Sequence, residues 1–176
     1  MQYRRSDIKG ASYFFTVNLN NRKTRLLVDY IEALRSSFTH VKQRHPFVID
    51  AMVVMPDHLH AVLTLPQNDN NYATRWMLIK SVFSRNIPKH ETISPSRASK
   101  RERGIWQRRY WEHLIRDEHD YQSHIGYIHY NPVKHGHTQN PVDWPYSSIH
   151  QYIKRGELPN NWGGDYKASK KNRGER

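Results

Sequence analysis

A chain of 176 residues without a single cysteine has room for one domain with a real core, and it excludes disulfides and thiolate metal sites. A formal charge of +12, a mean hydropathy of −0.93 and the lack of any bilayer-length apolar run argue against a membrane protein. They point to a polyanionic partner, with nucleic acid first among them. The charge is concentrated: residues 89–109 carry seven Lys/Arg against two Glu, and 167–176 carry five against one.

Met1 to Lys9 is polar and basic with no apolar segment behind it, so no secretory signal is read and a cytoplasmic chain is expected. SYFFTVNLN places Tyr13, Phe15, Val17 and Leu19 on one face and predicts a first strand. In TRLLVDYIEALRSSFTHVKQR, the residues Leu27, Ile31, Leu34, Phe38 and Val41 recur at helical spacing. This predicts an amphipathic helix with Thr24 as its N-cap, stopped by Pro46. FVIDAMVVM and HLHAVLTL read as two antiparallel strands joined at Pro56-Asp57. Tyr72 to Asn86 forms a second helix, with Trp76, Ile79 and Phe83 on one side. Residues 88–104 have no apolar period and read as a basic, mobile loop; IWQRRYWEHLIR reads as a fourth strand. A third helix runs from Asp117 to Asn131 and ends at Pro132, and the region beyond gives at most a short helix.

The order β-α-β-β-α-β-α opens with the ferredoxin-like split βαβ pattern. The expected fold is α+β: an antiparallel sheet with helices on one face and an additional helix. One domain is expected over residues 1–166, with a basic disordered tail over 167–176.

His58 and His60 interrupt the third strand one residue apart and so share a face, while Leu59, Ala61, Leu63 and Leu65 fill the other. Such a pair can be two half-exposed sheet residues, or two ligands of a metal ion that needs further oxygen donors. In DYQSHIGYIHYNPVKHG, Tyr127 and Asn131 are four apart and share a helix face a quarter turn from the apolar stripe of Tyr121, Ile125 and Ile128. Taken alone, they read as a packed tyrosine and an asparagine near a helix end. Taken with the histidines, they suggest His58, His60 and Asn131 around one divalent cation, with Tyr127 beside it as a nucleophile toward phosphorus. A tyrosine keeps the cut end covalently attached, which makes strand transfer possible. Tyr130 lies about 60° from Tyr127 on the helix and Tyr121 belongs to the core stripe, so the spacing favours Tyr127. His124 shares the face of Tyr127 and is a candidate to orient it or to touch phosphate, whereas His129, His135 and His137 are expected on the surface.

PDHLHAVLTLP, RRYWEHLIRDEHDYQSHIGYIHYNPVKHG and DWPYSS, with YRRSDIKGASYFFTVNL near the start, resemble the REP-associated tyrosine transposases, from about Tyr3 to Gly164. These are HUH single-strand DNA nucleases with one catalytic tyrosine. The resemblance implies a ferredoxin-like sheet with the histidines on a central strand, Mg²⁺ or Mn²⁺ as cofactor, and monomers rather than dimers. It implies single-stranded DNA carrying REP-type hairpins as substrate, with an unpaired sequence at the hairpin foot read by the protein. Cleavage then leaves a 5′-phosphotyrosine and a free 3′-OH. Matched by motif, His58 and His60 are the metal histidines and Tyr127 the nucleophile. Asn131 is the third ligand, where related transposases often carry Gln. A catalytically silent hairpin-binding protein and a water-using metallonuclease are the alternatives.

For DNA binding the sequence offers Arg4, Arg5, Arg108, Arg109 and Lys134, which neutralise phosphates. Trp106, Tyr110 and Trp111 interleave with the basic residues, either to stack unpaired bases or to pack the sheet.

Overall fold

The structure, a computed structural model, describes residues 7–164, Tyr166, Arg173 and Gly174. Arg4, Arg5 and most of the expected tail lie outside the described residues. Four strands, β1 (Ser12–Asn18), β2 (Val48–Val54), β3 (His58–Thr64) and β4 (Trp111–Leu114), form one antiparallel sheet in the order β2-β3-β1-β4. This is the ferredoxin-like order that the element pattern predicts.

The helical segment after β1 is broken in two, α1 (Leu26–Asp29) and α2 (Ile31–Arg44). Thr24 caps neither: its hydroxyl bonds the Asn21 carbonyl, and the chain turns at Tyr30. The break lets Leu27 bury fully while its N–H reaches the Pro56 carbonyl in the β2–β3 turn. Helix α3 (Tyr72–Arg85) starts at Asn71, whose side chain accepts from the Thr74 N–H. Helix α3 packs on α2, and its Trp76 meets both Phe38 of α2 and Phe15 of β1.

The 88–104 loop contains a single helical turn, α4 (Pro95–Ala98), and is tied down at its end. Arg103 donates to the carbonyls of Ser84, Ile87 and Pro88 and pairs with Glu91. The fourth strand is shorter than the sequence predicts. Trp106 makes only an isolated bridge to Leu19 before β4 begins.

Helix α5 (Glu118–Lys134) covers the opposite face of the sheet, capped by Asp117, whose side chain accepts from the Asp120 N–H. It does not stop at Pro132. Proline forfeits one hydrogen bond, which costs little in a last turn, and the helix continues to Lys134. A 3₁₀ turn (Pro141–Asp143) and α6 (Ile149–Lys154) complete the fold.

With helices on both faces, β3 is buried at every position except Thr64. His58 and His60 are therefore interior residues, 2 % and 0 % exposed, and not the half-exposed sheet positions that the sequence allows.

Candidate nuclease site

Strand register brings the site together. Asn18 and Thr16 of β1 stand opposite His58 and His60 of β3, so the four side chains share the face beneath α5. The two imidazoles lie 5.0 Å apart, centroid to centroid, and nearly perpendicular. Asp57 holds His58 through Nδ1 at 2.8 Å, and Asp57 is itself paired with Arg22. Burial alone raises the Asp57 carboxyl, but the His58 and Arg22 hydrogen bonds outweigh it and hold it down to about 2. Burial in turn pushes His58 below its usual value, so the ring is neutral at pH 7.

A carboxylate on Nδ1 fixes the proton there and leaves the lone pair on Nε2. His58 Nε2 is buried with no hydrogen-bond partner among the described residues. His60 follows the same logic. The Thr16 hydroxyl donates its one proton to the Arg173 carbonyl at 2.5 Å, so His60 Nδ1, 2.8 Å away, donates to Thr16. Two imidazoles, each with Nδ1 occupied by a supporting oxygen, are donors of the kind that suits a divalent cation. Asn131, one turn after Tyr127, is fully buried, and its amide oxygen could serve as a further donor.

Tyr127 is 1 % exposed, and its ring lies 5.3 Å from His60 and 6.0 Å from Phe14. The Lys134 ammonium donates to the Tyr127 hydroxyl at 2.8 Å and lies 4.8 Å from the ring centroid. Sequence reasoning groups Lys134 with the DNA-binding residues; the structure puts it on the tyrosine oxygen. The Arg173 guanidinium lies 4.2 Å over the same ring and reaches the Ser123 hydroxyl at 3.2 Å. Gly174 accepts from the Asn18 amide. At these two residues the structure differs from the disordered tail expected, because they are packed into the site.

Other expectations sort by burial. Tyr130 packs on Tyr166, 5.0 Å away, and not on the histidines. His124 Nδ1 donates to the Asp120 carbonyl, and its ring packs on Phe14 and His113. His113, Asp120 and His124 converge closely enough to suggest a second metal set. Yet Asp120 is already engaged by His113 and by the Arg116 N–H, so the trio locks β4 to the start of α5. His129 is buried against Tyr152 and Trp162, where burial pushes it down to about 3; it is not a surface residue. His135 is exposed, as expected, but stacks 5.1 Å from His58. Trp106 packs on Phe83, and Trp111 stacks on His113 and meets Phe14 edge-on. Arg108 and Arg109 are exposed beyond the fourth-strand bridge.

Asp57, Thr16, Arg22 and Arg173 are the site residues that sequence reasoning misses. Only Asp57 carries a signal, its adjacency to His58. Arg173 and Thr16 are 157 residues apart, and no local pattern joins them.

Comparison with known proteins gives the family. The family model for IS200-like transposases matches residues 8–131. A REP-associated tyrosine transposase of Escherichia coli K12 is 42% identical over 164 residues, covering 93% of this chain and 92% of its own. A Haemophilus influenzae protein provisionally named for the same group is 46% identical, covering 93% of both chains. The solved structure of a REP-associated tyrosine transposase bound to a REP hairpin superposes with a TM-score of 0.86 at 41% identity, covering 100% of this chain and 98% of that one. An antiparallel ferredoxin-like sheet, a buried His-x-His pair and a tyrosine helix across it thus occur in a chain that belongs to the IS200-like transposases and, among them, to the REP-associated tyrosine transposases.

Proposed function

We propose that the protein cuts and rejoins single-stranded DNA beside REP-type hairpins, with Tyr127 as the nucleophile. The observation that carries this reading is the meeting of Tyr127, Lys134 and the two buried imidazoles in one site. His58, His60 and Asn131 would hold Mg²⁺ or Mn²⁺. Such an ion, when bound, supplies Lewis-acid polarisation of a phosphate oxygen. Tyr127 Oη forms a bond to phosphorus as the bond to the 3′ oxygen breaks. The phenolic proton passes to solvent, and the released 3′ oxygen takes one up. Lys134 supplies a cation at the phenolic oxygen, which stabilises the anionic nucleophile.

Arg108 and Arg109, with Arg4 and Arg5, are proposed to carry phosphate contacts outside the site. The protein is proposed to act as a monomer in the cytoplasm, residues 1–166 forming the working domain. Among the described residues no helix is long and apolar enough to cross a membrane.

The test is end-labelled hairpin DNA incubated with Mn²⁺ or Mg²⁺. Wild type is expected to carry the label into a denaturant-stable protein complex, and Tyr127→Phe to bind the hairpin without forming one. Cutting by Tyr127→Phe that leaves a free 5′-phosphate would select water as the nucleophile. Binding without cutting by the wild type would make the protein a silent hairpin binder.

A further inference from the structure

On the face of the sheet opposite α5, a cavity of about 610 Å³ opens between α3 and the segment 97–110, and none of its residues enters the chemistry at Tyr127. Lys80 of α3 lines it. Its ammonium has one acceptor among the described residues, the Gln107 carbonyl at 2.9 Å, and lies 5.2 Å from the Tyr110 ring and 6.0 Å from the Trp106 ring. It makes no ion pair among the described residues. The charged groups that line the cavity with it are Arg85 of α3 and, on the facing segment, Arg97, Arg101, Arg103, Arg108 and Glu102. Three of these arginines are engaged, Arg103 with Glu91, and Arg97 and Arg108 with Glu102. Arg85 and Arg101 are exposed at the rim, and no side-chain hydrogen bond or ion pair engages either guanidinium among the described residues. Among the described residues Arg101 is also the non-glycine position with a positive φ, 56°, a backbone strain of the kind that gathers at ligand sites.

These surroundings decide the chemistry of Lys80. A buried ammonium with no carboxylate loses hydration that nothing restores, and burial pushes it down to about 8 from an ordinary 10.5. At about pH 7.5 roughly a quarter of it is free amine, against roughly 0.1% for an ordinary lysine. A neutral amine keeps its bond to Gln107 through one N–H and still carries a lone pair, which makes it a nucleophile. The cavity selects the electrophile. Its rim guanidinia suit a phosphate, and Ala73 and Met77 give an apolar wall for a short carbon chain. A phosphate joined to an electrophilic carbon by a bond that an amine can break is an acyl phosphate.

We propose that Lys80 is a modification site, acylated on Nζ by small acyl phosphates that the cavity admits and whose phosphate Arg85 and Arg101 hold. The Nζ lone pair forms a bond to the acyl carbon, the bond from that carbon to the phosphate oxygen breaks, and inorganic phosphate leaves with the proton that the nitrogen gives up. The product is a neutral amide, so the cavity that Arg108 also lines loses one positive charge. The reaction involves neither DNA nor the nuclease site, and it stands or falls apart from the covalent-adduct assay.

The test incubates full-length protein with acetyl phosphate and follows acetylation at each lysine by peptide mass spectrometry. At about pH 7.5 Lys80 should acquire the group about tenfold faster than the exposed Lys42, Lys89 and Lys100, the gain in free amine being partly offset by its lower basicity. The Lys80 rate should level off above about pH 8. Inorganic phosphate should protect Lys80 and leave the exposed lysines unaffected. The exposed pair Arg85→Ala/Arg101→Ala should slow acetylation of Lys80 roughly tenfold, the scale of lost charged hydrogen bonds to a phosphate. The same variant should label at Lys80 within about twofold of wild type with an uncharged active ester of acetic acid, which separates lost anion binding from altered burial. Acetylation of Lys80 no faster than that of the exposed lysines, a rate that does not level off, or a rate indifferent to phosphate and to the arginine pair would each overturn the proposal.

Discussion

Lys134 lies seven residues after Tyr127, two turns along the same helix, and its ammonium ends on the phenolic oxygen. Removing it takes away the group that stabilises negative charge there. Lys134→Met is therefore expected to slow adduct formation by about 10²-fold, within the usual range for a positioned acid–base or electrostatic group. Hairpin affinity should fall only a few-fold, and Lys134→Arg should recover part of the rate. An affinity loss that matched the rate loss would return Lys134 to the phosphate-binding role read from sequence. The histidines differ from expectation in another way. The sequence allows two half-exposed sheet residues, but both are buried, and His60 also stacks on Phe14 at 5.4 Å. His60→Ala leaves a cavity and takes a bond from Thr16, so thermal or denaturant melting should show a loss of about 2–3 kcal/mol. His60→Gln should recover part of that stability without restoring cleavage.

At the scale of elements, much was legible because the periods are clean. Alternation places His58 and His60 on one face of β3, and the four-residue step places Tyr127 above Asn131 on α5. What was not legible depended on neighbours. Pro132 looks like a helix stop, but one lost hydrogen bond so close to the C-terminus does not end α5, and only because it continues does Lys134 meet Tyr127. The 88–104 loop reads as mobile because it lacks apolar period, yet Arg103 closes it from the far end with Glu91 and three carbonyls. The Arg103 hydrogen bonds hold the Glu91 carboxyl down to about 2, from an ordinary 4.5. The stabilisation this pair contributes is complete above about pH 4.5 and is lost as pH falls through about 2. Amide protection over 88–104, taken relative to the intrinsic exchange rate at each pH, should fall across that window in wild type. In Glu91→Gln it should already be low at neutral pH and show no such step. A wild-type loop that exchanges rapidly at pH 7 would contradict the tether.

Across the whole molecule, the sheet order followed from the element order, but the joining of chain ends did not. Arg173 and Gly174 meet Thr16, Asn18 and Tyr127, contacts that only the folded chain creates. Because the Arg173 guanidinium covers the Tyr127 ring, a DNA strand approaching the hydroxyl must displace it. Arg173→Ala should raise the single-turnover rate of adduct formation several-fold; an unchanged or lower rate would mean that the arginine serves the DNA and does not obstruct it. The central claim, that Tyr127 attacks phosphorus, is tested most directly by peptide mass spectrometry of the trapped protein–DNA complex. The account predicts a nucleotide attached through phosphate to Tyr127 and to no other residue. Attachment at Tyr130, or cut DNA with no modified tyrosine, would contradict it.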